Sequence, residues 1–385
     1  MKHIYKLLTL LAATAALGAQ ADTFMAGGLY YQTTGNSQVA VAPVPRGVNQ
    51  VYSGRYIIPE QVYYNGANYS VTSIADSAFC HSMATEVQVP NTVTAIGNYA
   101  FAYDEALTSV TLPLKLQKVS TAMLAGTSLV NIAVPEGVTT IGEWAFQSAS
   151  LLHTALLPST TTKIEAYGFN NCHSLAEIYC AAPTPPNATG WAIFSGLSGI
   201  DVIVPDDDAV KAYGQDAVWG NDSTFTLYPN EDLSVTMSGE LEQADDHYMR
   251  LDLGNNLAYK IFKGDELVAY TAADHYYIPI ESQPVQYTVY PTTGMGNDAD
   301  PVTVTVQPTA VPAIASDNDE WTPVILARDG VIYITGDNHG TWTRIYDCYG
   351  QLYYERPSND GEIENLPRNK VYIVIVGKTV KKVML

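Results

Sequence analysis

The nine residues Val93-Thr94-Ala95-Ile96-Gly97-Asn98-Tyr99-Ala100-Phe101 return as Val138-Thr139-Thr140-Ile141-Gly142-Glu143-Trp144-Ala145-Phe146. Their central residues belong to a longer series: Ile74, Ile96, Val119, Ile141 and Ile164. Five positions after each comes Phe79, Phe101, Leu124, Phe146 or Phe169. Pro90, Pro113, Pro135 and Pro158 fall between the units, and the spacing alternates between 22 and 23 residues. A period of this length marks a solenoid, in which one unit cannot bury its apolar face until neighbours stack on it.

A short strand-like run precedes each proline: Thr85–Val89, Thr108–Leu112, Val130–Val134, His153–Leu157 and Ala176–Cys180. Successive side chains in a strand point to opposite faces, so Val87, Val110, Ile132, Ala155 and Ile178 share the inner face. Val89, Leu112, Val134, Leu157 and Cys180 lie beside them. The outer face then carries two columns. One is Glu86, Ser109, Asn131, Thr154 and Glu177; the other is Gln88, Thr111, Ala133, Leu156 and Tyr179. These ten residues are the candidate ligand-facing surface. After the proline, Val and Ile three apart break the two-residue period, so a bend is expected there. Gly97 and Gly142 suit it because glycine tolerates positive φ. Ala78, Ala100, Ala145 and Gly168 leave room for a stacked column of Phe.

The motif Val-Thr-x-Ile-Gly-x-x-Ala-Phe followed by Leu-x-x-Val-x-Leu-Pro resembles the BspA-type leucine-rich repeat. The unit Val93 to Pro113 fits throughout. The third unit departs with Val119-Ser120 and Met123-Leu124; the fifth departs with Thr161 and Glu165. The resemblance covers about residues 50–228. It implies a curved repeat domain on a bacterial surface used for adhesion or ligand binding, and it names no ligand.

Residues 1–21 read as a secretory signal: Lys2 and Lys6, an apolar run from Leu7 to Leu17, then Ala19-Gln20-Ala21. The run is too short to cross a membrane, and Asp22 in place of Cys argues against a lipid-anchored terminus. The signal holds two of the 19 Lys+Arg and none of the 39 Asp+Glu, so its removal takes the charge from −20 to −22. That balance argues against nucleic acid and anionic lipid as partners.

The expected fold is mainly β: a leucine-rich-repeat solenoid with terminal caps, then an immunoglobulin- or fibronectin-III-like β-sandwich and a small C-terminal β-sandwich. Residues 22–70 are the first cap, 71–180 the five repeats and 181–228 the second cap, where the family resemblance implies a last strand and a short helix. Residues 229–310 read as the sandwich, with strands at Tyr248–Leu251, Ala258–Phe262, Leu267–Tyr270, Tyr276–Ile280, Val285–Tyr290 and Val302–Val306. Residues 311–322 are a linker. Residues 323–385 resemble the carboxy-terminal sorting domain of type IX secretion cargo, through Gly330–Ile334, Thr343–Gly350, Ile363–Leu366, Val371–Val376 and Lys381–Val383. Asn369-Lys370-Val371 replaces that family's usual Gly before the Tyr-Ile-Val strand, so a working address and a retained β domain both stay open.

Chemistry-bearing motifs are few. Cys180 falls in the inner column, which favours a buried thiol, while a bridge to Cys172 stays open. Cys80-His81 and Cys172-His173 lie four repeats apart, about 19 Å at strand spacing, too far to share a metal ion. Gly294-Met295-Gly296-Asn297-Asp298-Ala299 lacks the helix a dinucleotide fingerprint needs. Lys263-Gly264-Asp265 reads as a turn between strands. Asp206-Asp207-Asp208 and Asp317-Asn318-Asp319-Glu320 lack the EF-hand pattern and read as solvated charge. No nucleophile elbow, His-Glu-x-x-His or papain-like context occurs. The expectation is therefore a non-catalytic module, with no cofactor and no metal. It would bind a host or bacterial surface protein, or, as the alternative, a glycan through Tyr179, Trp191 and Tyr213. A surface hydrolase is the least favoured reading.

Overall fold

The computed structural model describes residues 22–385 except 189, 232–236, 238, 246–247, 255–257, 297, 308–323, 329–330, 336–341, 348–351, 358–360, 364–370, 377–378 and 385. The expected signal peptide and the whole of the expected linker therefore lie outside the described residues.

The chain is mainly β, with a solenoid of about six turns over residues 73–229. Each turn contributes one strand to a broad parallel face: Met83–Gln88, Ser109–Thr111, Asn131–Ala133, Thr154–Leu157 and Glu177–Cys180. Register is kept residue for residue, with Val87 opposite Val110 and Ile132 opposite Ala155 opposite Ile178. The face is longer than the five units. Ser53–Ile57 precedes it, and Ile200–Val204 and Phe225–Pro229 extend it by two strands through the segment expected to be the closing cap. A second parallel face is built from two-residue strands at Ala95–Ile96, Lys118–Val119, Thr140–Ile141 and Lys163–Ile164.

The inner columns meet in one core. Phe79, Phe101, Leu124, Phe146 and Phe169 are all fully buried. The rings stack at 5.3 Å between Phe79 and Phe101, 5.0 Å between Phe146 and Phe169, and 5.7 Å between Phe169 and Phe194. Tyr52 closes the column at one end, 4.9 Å from Phe79, and Trp219 and Phe225 close it at the other, edge-on to Phe194. The helix Asp207–Gly214 follows the strand Ile200–Val204; Asp206 caps it by accepting from the Asp208 and Ala209 amides. Capping explains the start of the triple-Asp run, because helix N-termini carry unpaired N–H groups.

The bend is made differently from the sequence expectation. Gly97 and Gly142 are not at positive φ. They are glycine because the turns touch there: a Cβ on Gly97 would lie 2.5 Å from the Asp76 amide nitrogen, and one on Gly142 2.6 Å from the Val119 carbonyl oxygen. The left-handed residues come in pairs four apart, once per turn: Ser77 and His81, Tyr99 and Tyr103, Ala122 and Gly126, Trp144 and Ser148, Tyr167 and Asn171, Ala192 and Gly196. Their amides bond from turn to turn, as Tyr99 N to Thr121 O at 2.9 Å and Trp144 N to Ala166 O at 3.0 Å. This pairing satisfies backbone groups that have no sheet to join.

Cys172 and Cys180 are buried free thiols, so no bridge joins them. Cys172 donates to the Phe146 carbonyl, and Cys180 sits 3.1 Å from the Tyr213 hydroxyl, which also donates to the Ala182 carbonyl.

After the solenoid, two antiparallel sheets enclose a separate core. One is Leu241–Gln243, Tyr248–Asp252 and His275–Pro279; the other is Glu266–Thr271, Ala258–Lys263, Val285–Thr292 and Val302–Val306. Leu251, Tyr259, Ile261, Ile278, Val289 and Val306 fill the space between them. All six strands expected in this region are present, and Gly264 at φ 58° makes the turn at Lys263-Gly264-Asp265. The tail carries two more antiparallel sheets, one around Val331–Thr335 and one around Trp342–Asp347 and Val371–Val376.

Candidate interaction surface

The outer columns of the solenoid continue at both ends. Arg55 stands opposite Glu86, and Asp201 and Thr226 follow Glu177; Ile57 stands opposite Gln88, and Ile203 and Tyr228 follow Tyr179. The second domain lies across the middle of this face. Gln88 makes two bonds to one residue: its side-chain nitrogen donates to the Tyr277 carbonyl at 2.9 Å, and its oxygen accepts from the Tyr277 amide at 3.1 Å. An amide side chain thereby imitates a strand partner. Asn91 donates to the Val268 carbonyl, and the Thr111 and Thr271 hydroxyls meet at 3.0 Å. Further along the row, Ala133, Leu156 and the partly buried Leu114 and Tyr179 pack with Ala258, Tyr270 and Ala272.

The ten candidate ligand-facing residues therefore divide. Thr111, Ala133, Thr154 and Leu156 are buried. Gln88 and Glu86 are half-buried and engaged by the second domain. Tyr179 is half-buried, and burial, followed by Glu177 and Asp201, pushes its phenol up to about 12. Ser109, Asn131 and Glu177 keep partial exposure, and Glu177 accepts from the Thr154 hydroxyl. A sequence signal for the covered part existed: Ala133, Leu156 and Tyr179 are apolar or aromatic in a row that Gln88 and Thr111 begin as polar.

At one end of the seam, charged groups converge. The Glu86 carboxylate accepts from His275 Nε2 at 3.1 Å and from the Tyr277 hydroxyl at 2.9 Å. His275 Nδ1 bonds Asp274. Arg55 lies 4.3 Å over the Tyr277 ring and pairs with Asp245 at 2.7 Å. The His275 bond, opposed by burial and helped by Tyr277 and Arg55, holds Glu86 below the ordinary carboxylate range. Burial opposes charge on His275, but Glu86 and Asp274 more than offset it and raise its pKa.

Residues 72–185 match the BspA type leucine rich repeat region in six copies. Three crystal structures resemble the chain. A leucine rich cell surface protein from Faecalibacterium prausnitzii is 23% identical, with TM-score 0.36, over 48% of this chain and 54% of its own. The pneumococcal vaccine antigen PcpA is 13% identical, with TM-score 0.42, over 54% and 47%. A leucine rich repeat protein of T. pallidum is 21% identical, with TM-score 0.34, over 54% and 83%. The chain thus spans about half the length of the first two. No curated protein matches it.

The turns of the solenoid form another surface, away from the covered columns. His81 and Tyr103 stack at 5.2 Å, and Trp144 and Tyr167 lie 6.2 Å apart. Tyr99 and Trp144 pack over Ala102, Ala122 and Ala125. Trp191 is 80% exposed. Of the aromatic residues expected to face a glycan, Trp191 alone is open to solvent; Tyr213 belongs to the core, fully buried beneath its helix. Among the described residues, no group of three or more His, Cys, Asp or Glu side chains is placed to hold a metal ion, and no helix is long and apolar enough to cross a membrane.

Proposed function

We propose that this chain is an exported, non-catalytic binding protein of the cell surface or extracellular space, and that its BspA-type repeats serve adhesion to another protein. The observation that carries this reading is the continuation of the outer columns past the second domain. Glu177, Asp201, Thr226 and Tyr228 follow one another on adjacent strands, and Thr226 and Tyr228 are exposed. A flat, in-register surface of this kind suits a broad protein contact with a central aromatic anchor. In this reading Asn131 and Glu177 are the members of the original columns that a partner reaches. The test is binding to arrayed host and bacterial surface proteins and to whole cells. A Glu177→Lys, Asp201→Lys, Tyr228→Ala variant should lose every detected interaction; unchanged binding sinks the assignment.

Glycan capture is the second reading, favoured by the 80% exposure of Trp191 beside the Trp144 and Tyr167 turns. Aromatic faces stack well on flat apolar rings, and the placing of Trp144 and Tyr167 at left-handed positions supports a use beyond packing. A glycan array without hits, or with hits that survive Trp191→Ala, removes it.

In this account the tail acts as a type IX address and the middle domain as an immunoglobulin- or fibronectin-III-like spacer. Localisation in the native cell with and without residues 323–385 tests the address: display that survives truncation refutes it.

A further inference from the structure

The middle domain covers part of the outer columns of the repeats, and one histidine sits where the two bodies meet. His275 is 8% exposed and has a carboxylate at each ring nitrogen, Glu86 on the repeats and Asp274 on its own domain. A neutral imidazole has one N–H to donate, whereas the imidazolium has two. Two acceptors on one ring therefore call for the charged form. Among the described residues, the other charged groups around it are Arg55, from the strand Ser53–Ile57, and Asp245, which pairs with Arg55; Tyr56, Tyr277, Gln88, Ser109 and Thr111 line the seam as neutral polar groups. With the imidazolium in place, two positive charges face three negative ones. Without its proton, one faces three.

We propose that this seam is a proton-controlled latch, in which charged His275 clamps the middle domain over the repeat face and deprotonation loosens that cover. The inference rests on the reading of the outer columns as a binding surface, because Thr111, Ala133 and Leu156 are what the cover hides. Neutral ties at Gln88, Asn91 and Thr111 and the apolar packing around Tyr270 keep the domains associated in either state, so the latch adjusts a closed-to-open ratio. It does not dissociate the two bodies.

The direction follows from the two shifts. His275 titrates above its ordinary value, so its contribution to the closed seam is full below the ordinary histidine range and is lost as pH rises through the raised value. Glu86 titrates below its ordinary value, so its contribution is full above the ordinary glutamate range and fades as pH falls through the lowered one. Closure is strongest between them, in mildly acidic to neutral medium.

The test uses the full chain with Ala133→Cys, labelled by a neutral thiol reagent and read by peptide mass spectrometry. Its rate is divided at each pH by that of Thr226→Cys, an exposed site, to cancel thiol ionisation. From about pH 5.5 to about pH 9.5 the ratio should rise about ten- to hundredfold, the factor expected for losing a hydrogen bond to a charged group. Adding His275→Gln should make the ratio flat. A flat ratio in the parent, or the same rise with His275→Gln, overturns the latch. If Ala133→Cys does not fold, nitrogen NMR of the imidazole in the unaltered protein decides. Two protonated ring nitrogens at about pH 6 support the latch, and a neutral tautomer there overturns it. Neither measurement involves a partner, so failure of the latch is distinguishable from failure of the binding surface.

Discussion

Gly142→Ala separates two explanations of the repeat glycines. Gly142 is outside the left-handed region, so alanine can adopt its backbone. At an unstrained site this substitution stabilises by about 0.4–1 kcal/mol, through the unfolded chain. Here the added carbon would lie 2.6 Å from the Val119 carbonyl oxygen, 3.0 Å from the Ser120 carbonyl carbon and 3.1 Å from the Thr121 nitrogen. All three are backbone atoms of the preceding turn. The Val119 carbonyl also accepts the Gly142 amide at 2.8 Å, so moving the turns apart stretches the bond that joins them. Overpacking costs about 1–3 kcal/mol and the strained bond about 1 more, against a gain of about 0.5, for a net of about 1.5–3.5 kcal/mol. At about 2–4 °C per kcal/mol, the melting midpoint should fall by about 3–14 °C. Thermal unfolding by circular dichroism reads this directly. Gly47→Ala is the control, at φ 88° with no atom near the added carbon; it carries only the left-handed penalty of about 1–2 kcal/mol. A Gly142→Ala protein as stable as the parent would refute the contact account.

Phe146→Ala removes a fully buried ring stacked 5.0 Å from Phe169 and should cost about 3–5 kcal/mol, read as a lower urea midpoint at unchanged slope. A loss below about 1 kcal/mol would mean that the column collapses freely around the gap. Tyr213→Phe leaves the Ala182 carbonyl without its donor and should cost about 1–3 kcal/mol by the same assay; an unchanged midpoint would show another donor filling the site. Burial pushes the Cys172 thiol up to about 12 and the Cys180 thiol to about 11. Both should resist alkylation at about pH 8 until the protein is denatured. A Cys172–Cys180 disulfide-linked peptide would contradict their placement.

The repeat could be read from sequence because identical positions meet identical positions on the next turn. Ile96 and Ile141 predict a shared column as soon as the period is known, and Phe101 and Phe146 predict another. The left-handed pairs could not be read. Glycine and asparagine announce such positions, but Tyr99, Trp144 and Tyr167 occupy them here, held by bonds to the neighbouring turn. Gly97 and Gly142 drew the bend to themselves because sequence shows that a side chain is missing without showing what fills the space. The seam was out of reach for another reason. Gln88 and Tyr277 are 189 positions apart, and no local period links them.

Once the seam is known, its composition is consistent along its whole length. The covered outer column changes character from Gln88 and Thr111 to Ala133, Leu156 and Tyr179, and the middle domain changes with it. Polar rungs meet a strand backbone and Thr271; apolar rungs meet Ala258, Tyr270 and Ala272. Burying an amide without partners costs more than it returns, so Gln88 is tolerated only where the Tyr277 amide and carbonyl both face it. Leu156 in turn is tolerated on an outward face because the middle domain covers it. Each rung therefore requires the particular rung opposite it, and a one-step slip along the solenoid would set Thr111 against the apolar group or, in the other direction, Ala133 against Thr271. That mutual requirement fixes where the middle domain sits, and with it which end of the repeat face stays open to a partner.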